Sequence, residues 1–121
     1  MKVGIHHVAL DVDDLEAALR FYVDGMGFTE LRRPDFGFPG AWLDTGTHQV
    51  HLVEVSGPMP PNGGAHFALH VEDRDAAIEE LRAKGIKVDP IPEVPGAGRQ
   101  AFLVDPAGNL IELNQPTGPV P

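Results

Sequence analysis

Large apolar side chains recur at every second position in the first stretch of the chain. Val8, Leu10 and Val12 alternate with His7, Ala9 and Asp11, which is the period of a strand with one face on a core. Adjacent strand residues point to opposite faces, so His6 and His7 are expected to have different roles. The period then lengthens. Leu15, Ala18, Leu19 and Tyr22 fall at i, i+3, i+4 and i+7, one stripe of a helix. Asp13 or Asp14 can cap its start, and Gly25 and Gly27 end it. Three strand candidates follow, over residues 29–33, 41–44 and 49–55, with a turn at Thr45-Gly46-Thr47-His48 between the last two.

The pattern then repeats. His7-x-Ala9-Leu10-x-Val12 returns 59 residues later as His66-x-Ala68-Leu69-x-Val71. Asp14 and Asp73 share that offset, as do Ala17-Ala18 and Ala76-Ala77. The second copy predicts a helix capped by Asp73, with Ala77, Ile78 and Leu81 facing inward and Gly85 stopping it. Strands are then expected over 86–89, 101–104 and 110–114, with Pro106-Ala107-Gly108-Asn109 as a hairpin turn. Each half is a βαβββ unit of about 55 residues, too small to supply a sufficient core alone. The expected fold is α+β: two βαβββ modules paired into a curved, mixed-sheet half-barrel, with one helix outside each. Module one covers about 3–55, a Pro- and Gly-rich connector 56–64, and module two about 65–115, within one domain spanning 1–121.

Parity sorts the histidines. The large apolar set must face the helix, so His7 and His66 share the opposite face. In the last strand of each half, His51 lies between Val50 and Leu52, and Glu112 between Ile111 and Leu113. These two align at an offset of 61, so one small loop insertion reconciles the halves. The modules thus offer two equivalent pairs, His7 with His66 and His51 with Glu112. Three imidazoles and a carboxylate converging in an apolar trough are costly to desolvate. A divalent cation offsets that cost, and the donor set admits Zn, Ni, Co, Mn or Fe. His6 has Ala65 as its counterpart and is placed at the strand start, near the surface. His48 is read as a solvated turn residue, and His70 as lining the cavity or capping its rim.

Composition narrows the setting. The 121 residues contain no cysteine, so thiolate chemistry and disulfides are excluded. The net charge of −9 disfavours nucleic acid as a partner. No run approaches the roughly 20 apolar residues of a membrane span, and Met1-Lys2 leads straight into strand-like sequence. A cytoplasmic protein is expected.

The motifs "IHHVALDV", "LEAALRFYVDGMGF", "GAHFALHVEDRDAAIEEL" and "FLVDPAGNLIEL" resemble the vicinal oxygen chelate superfamily. That group includes glyoxalase I, fosfomycin-resistance transferases, methylmalonyl-CoA epimerase, extradiol dioxygenases and bleomycin-binding proteins. The resemblance runs over residues 3–115. It implies that His7, His66 and Glu112 are metal ligands. His51 occupies the position where glyoxalase I has Glu and the epimerase Gln, so the substrate is left open. The preferred implication is a glyoxalase-like lyase or isomerase. In it the metal stabilises an enediolate of a small oxygen-chelating substrate, and Glu112 and His51 carry the proton chemistry. One alternative is an Fe(II) extradiol dioxygenase using His7, His66 and Glu112 as a facial triad, with His51 as acid/base. Another is a non-catalytic antibiotic- or metabolite-binding protein whose trough uses Trp42, Phe36 and Phe38. Family members of this length are commonly homodimers. Arg32, Arg33 and Arg99 are candidates for substrate contact, against a reading as solvated loop residues.

Overall fold

A computed structural model describes residues 1–118. It divides into two compact units: Met1–Pro61 with Pro106–Gly108, and Asn62–Asp105 with Asn109 onward. The chain boundary between them lies inside the expected connector.

The first unit holds β1 (His7–Val12), α1 (Leu15–Leu19), β2 (Thr29–Leu31), β3 (Gly40–Asp44) and β4 (Gln49–Glu54). The sheet order is β1-β4-β3-β2. β1 runs parallel to β4, and the other pairs are antiparallel. The second unit repeats this with β5 (His66–His70), α2 (Arg74–Ala83), β6 (Asp89–Pro90), β7 (Arg99–Val104) and β8 (Leu110–Gln115), in the order β5-β8-β7-β6. The fold class is α+β, with two βαβββ modules that each carry a four-stranded mixed sheet.

The cores follow the predicted alternation. Val12, Ala18, Tyr22, Ala41, Leu43, Val50 and Leu52 are buried in the first unit. Ile78, Leu81, Val88, Ala101, Leu103, Ile111 and Leu113 are buried in the second. Asp14 caps α1, its side chain accepting from the Ala17 amide, and Asp73 does the same for α2 through Ala76. Each cap satisfies an amide that the helix leaves unpaired.

Four local expectations change. The first helix is α-helical only to Leu19 and continues as a π-helix over Arg20–Gly25. The aromatic and β-branched run Phe21-Tyr22-Val23 favours the α-helix weakly, and Tyr22 is fully buried there, stacked on Phe28. β2 stops at Leu31, three residues before Pro34, which cannot donate to a ladder. The strand expected over 86–89 shrinks to Asp89–Pro90. The Ile86 amide bonds the Leu81 carbonyl at the helix end, and Arg82 takes the Val88 carbonyl. β7 starts two residues early, at Arg99, which brings Arg99 and Gln100 into the sheet. Among the described residues no helix is long and apolar enough to cross a membrane.

Candidate metal centre

In the first module, β4 lies between β1 and β3, and His51 is the cross-strand partner of both Ala9 and Trp42. The His51 ring stands between two others. It stacks on His7 at a centroid distance of 3.9 Å and on Trp42 at 4.4 Å, with interplanar angles of 14° and 7°. The three rings form a row on the sheet face opposite the core. His51 Nε2 lies 2.8 Å from Gln49 Oε1. An amide oxygen only accepts, so Nε2 carries the hydrogen and the neutral ring keeps its lone pair at Nδ1. Burial, then His7, His6 and Arg33, lower the His51 pKa and favour that neutral ring.

His7 meets His6 at 2.9 Å between their Nδ1 atoms. The expectation that these neighbours point apart fails because β1 begins at His7, so strand alternation does not govern His6. One of the two Nδ1 atoms donates and the other accepts. With His7 as the donor, its Nε2 is a lone pair available to a metal.

In the second module, Glu112 on β8 pairs with Ala68 on β5 and Phe102 on β7. Its Oε1 lies 3.2 Å from His66 Nε2. Its Oε2 accepts from Gln100 Nε2 at 3.0 Å and from Asn114 Nδ2 at 2.8 Å. Asn114 Nδ2 also donates to the Ala97 carbonyl at 3.0 Å. One carboxylate oxygen is therefore fixed by two amides, which presents the other to His66. Burial pushes the Glu112 carboxyl up, but the donors from Gln100, Asn114 and His66 outweigh it and hold it below the ordinary value. His66 Nδ1 donates to the Gly64 carbonyl at 2.9 Å. That carbonyl, with Glu112, raises the His66 pKa against the opposing effect of burial.

These atoms fit a divalent cation. The Gly64 carbonyl holds the hydrogen on Nδ1, so the tautomer that a metal requires at Nε2 is already selected. Two donors cis to one another, each about 2.1 Å from a metal, lie about 3 Å apart; His66 Nε2 and Glu112 Oε1 are separated by 3.2 Å. His7 and His51 fit less directly. Their planes are nearly parallel, so their in-plane lone pairs do not converge without a ring rotation. Among the described residues, no three His, Asp or Glu side chains stand together as an ion-holding group. The predicted ligands appear as two pairs, one in each module.

Other predicted residues have separate partners. His48 is exposed in its turn, with Nδ1 on Thr47 Oγ1, and His70 is exposed at the end of β5. Arg99 is not a loop residue: it lies on β7 and pairs with Asp75 at 2.8 Å. Arg32 is exposed. Sequence reasoning missed Gln100, Asn114 and Gln49. Asn114 was reachable, since it shares the parity of Glu112 two residues on. Gln100 was hidden by the late start assigned to its strand.

Residues 4–113 match the family described as the Glyoxalase/Bleomycin resistance protein/Dioxygenase superfamily. The chain is 34% identical to a "Probable lactoylglutathione lyase" of Synechocystis sp., covering 90% of this chain and 92% of that protein. It is also 34% identical to a 2-epi-5-epi-valiolone epimerase of Actinomyces sp., covering 96% and 81%. Among solved structures, TnmS3, an antibiotic binding protein from Streptomyces sp. CB03234, superposes with a TM-score of 0.81 at 33% identity, covering 96% and 98%. Plant relatives are longer, and the chain spans 44% of a lactoylglutathione lyase from Arabidopsis thaliana. This chain therefore belongs to the Glyoxalase/Bleomycin resistance protein/Dioxygenase superfamily.

Proposed function

We propose that the protein is a divalent-metal-dependent lyase or isomerase of the glyoxalase type, acting on a small oxygen-chelating substrate. His66 with Glu112 in the second module, and His7 with His51 in the first, are the candidate ligands. The observation that carries this reading is the His66–Glu112 pair, with each side chain held from behind by a group that would orient it toward an ion. The relatives named as a lyase and an epimerase support the reaction class.

A bound cation would act as a Lewis acid, stabilising negative charge on the substrate's adjacent oxygens. The protein's own groups handle the proton. Glu112 Oε1, the oxygen facing His66, would accept the proton α to the carbonyl when it is not serving as a ligand, while Gln100 and Asn114 hold Oε2. His51, with its Nε2 hydrogen engaged by Gln49, has one lone pair, at Nδ1, and would be the second acceptor when that lone pair is not on an ion. Return of the proton to the neighbouring carbon completes an isomerisation with no co-reactant.

A second reading, capture of an antibiotic or metabolite without turnover, is favoured by the likeness to TnmS3 and by the half-exposed rings of Phe36 and Phe38. Proton NMR in deuterated water separates the two. The hemithioacetal of methylglyoxal and glutathione, and an acyl thioester with an acidic α-hydrogen, are the probes. Metal-dependent exchange at the α-carbon of either, abolished in Glu112→Ala, is expected. No exchange with either, together with tight binding of a planar antibiotic by metal-free protein, would replace catalysis with capture.

A further inference from the structure

Arg33 is held by aromatic rings and a carbonyl rather than by a carboxylate. Arg74 and Arg99 both bond Asp75, and Lys87 approaches Asp89. Among the described residues, Arg33 has no carboxylate partner. Its Nη1 donates to the Phe38 carbonyl at 3.0 Å. Its guanidinium carbon lies 4.9 Å from the Phe36 ring centre and 5.0 Å from that of Phe38. Those rings are 50% and 47% exposed, the only large aromatic side chains so open among the described residues. Phe36 in turn lies 6.0 Å from Trp42.

The seat of the guanidinium is built by an absence. Gly40 shares strand parity with Trp42, so a side chain there would rise on the face that carries Trp42 and His51. A Cβ at Gly40 would clash first with the Leu52 carbonyl, and would also come 2.9 Å from Arg33 Nη2 and 3.0 Å from its guanidinium carbon. Arg33 therefore fills the space that a residue at position 40 would take. The repeat shows what that space does. Gly40 opposes Val53 as Gln100 opposes Asn114, and Trp42 opposes His51 as Phe102 opposes Glu112. In module two the Gln100 side chain reaches Glu112 across this position. In module one a long-reach cation replaces it, on the same face as His51.

We propose that Arg33, flanked by Phe36, Phe38 and Trp42, is an anion-binding subsite that takes the carboxylate of a substrate with a flat apolar body. This deepens the reading above by naming the substrate class, and rests on it only for the link to turnover. The Nε and Nη2 donors can form a fork to a carboxylate, while the rings shield the pair from water.

Trp42 is the only tryptophan, so its fluorescence reports on this face alone. Benzoate and benzamide share a flat body and differ in charge, and both are titrated into the protein as purified. Benzoate is expected to perturb Trp42 about ten-fold more tightly than benzamide, or better. Arg33→Met should bring the two to parity, and Arg33→Lys, which keeps charge without the fork, should fall between. Unchanged thermal unfolding of Arg33→Lys shows that the fold is intact. His66→Ala, which disables the proposed metal centre, should keep the preference. Equal binding of the two probes, no response to either, or a preference that survives Arg33→Met overturns the proposal. A preference lost in His66→Ala but kept in Arg33→Met places benzoate on the metal and also overturns it. None of these outcomes depends on catalysis, so failure here leaves the lyase or isomerase reading standing.

Discussion

Replacing Asn114 by Leu strips Glu112 of one of its two amide donors with little change of side-chain shape. Two hydrogen bonds disappear: one to a buried carboxylate at 2.8 Å, one to the Ala97 carbonyl at 3.0 Å. A bond to a charged group contributes about 1.5–3 kcal/mol and a neutral one about 1 kcal/mol. The added apolar surface of Leu, half-buried at this position, returns roughly 1 kcal/mol. The net loss is about 1.5–3 kcal/mol, or a fall in Tm of about 6–12 °C for a chain of this size. A double-mutant cycle with Glu112→Gln isolates the pair, with an expected coupling of about 1.5–3 kcal/mol. The pH dependence carries the sign. The Glu112 carboxyl is held below its ordinary value of 4.5 in the fold, so its contribution is full above that value. It is lost as the pH falls through the lowered folded pKa. The gap between wild type and Asn114→Leu should therefore close in strong acid. Denaturant melts across the acid range measure both quantities. Coupling near zero, or a gap that stays constant into strong acid, would refute the idea that Asn114 acts on an ionised Glu112.

The remaining predictions concern the frame and the proton traffic. Asp14→Ala and Asp73→Ala each remove one helix cap and should cost about 1 kcal/mol in denaturant unfolding. Gly98→Ala should destabilise by about 1–3 kcal/mol: φ is +79° there, and the new Cβ would sit 2.7 Å from the Gln115 carbonyl and 2.8 Å from Asn114 Oδ1. Metal binding must displace the proton on His66 Nε2, whose pKa is raised above 6.5 by the Gly64 carbonyl and Glu112. Zinc affinity measured with a competing chelator should therefore fall as the pH drops through the raised His66 pKa, with proton release on binding. In His66→Gln that pH dependence should flatten.

The repeat made most of this fold readable. Val8, Leu10 and Val12 alternate, and so do Val50 and Leu52 around His51; a strand with one face on a core admits no other reading. Asp73 marked the second helix start, and Asp13 or Asp14 the first, for the same reason, that a free amide needs a nearby acceptor; the structure selects Asp14. Tertiary partners decided what could not be read. Ile86 looks like a strand residue until its amide is claimed by the Leu81 carbonyl. Arg99 looks like a loop residue until the β7–β8 pairing extends past Ala101 to reach it. The candidate site shows the same division. Parity placed His7, His51, His66 and Glu112 on the faces away from the cores. It could not show that His51 is sandwiched between two rings, or that two amides fix one oxygen of Glu112. Those facts depend on rotamers and on side chains from neighbouring strands, which carry no periodic signature.

The central proposal is that this chain binds a divalent ion, with the His66–Glu112 pair among its ligands. Elemental analysis of protein purified without added metal tests it most directly, run beside the double variant His7→Ala/Glu112→Gln. The account predicts about one first-row divalent ion per chain in the wild type, and none in the variant, with both proteins folded by thermal melting. A wild type free of metal that also fails to take up Zn, Ni, Co, Mn or Fe, or a variant that keeps its full complement, would contradict it.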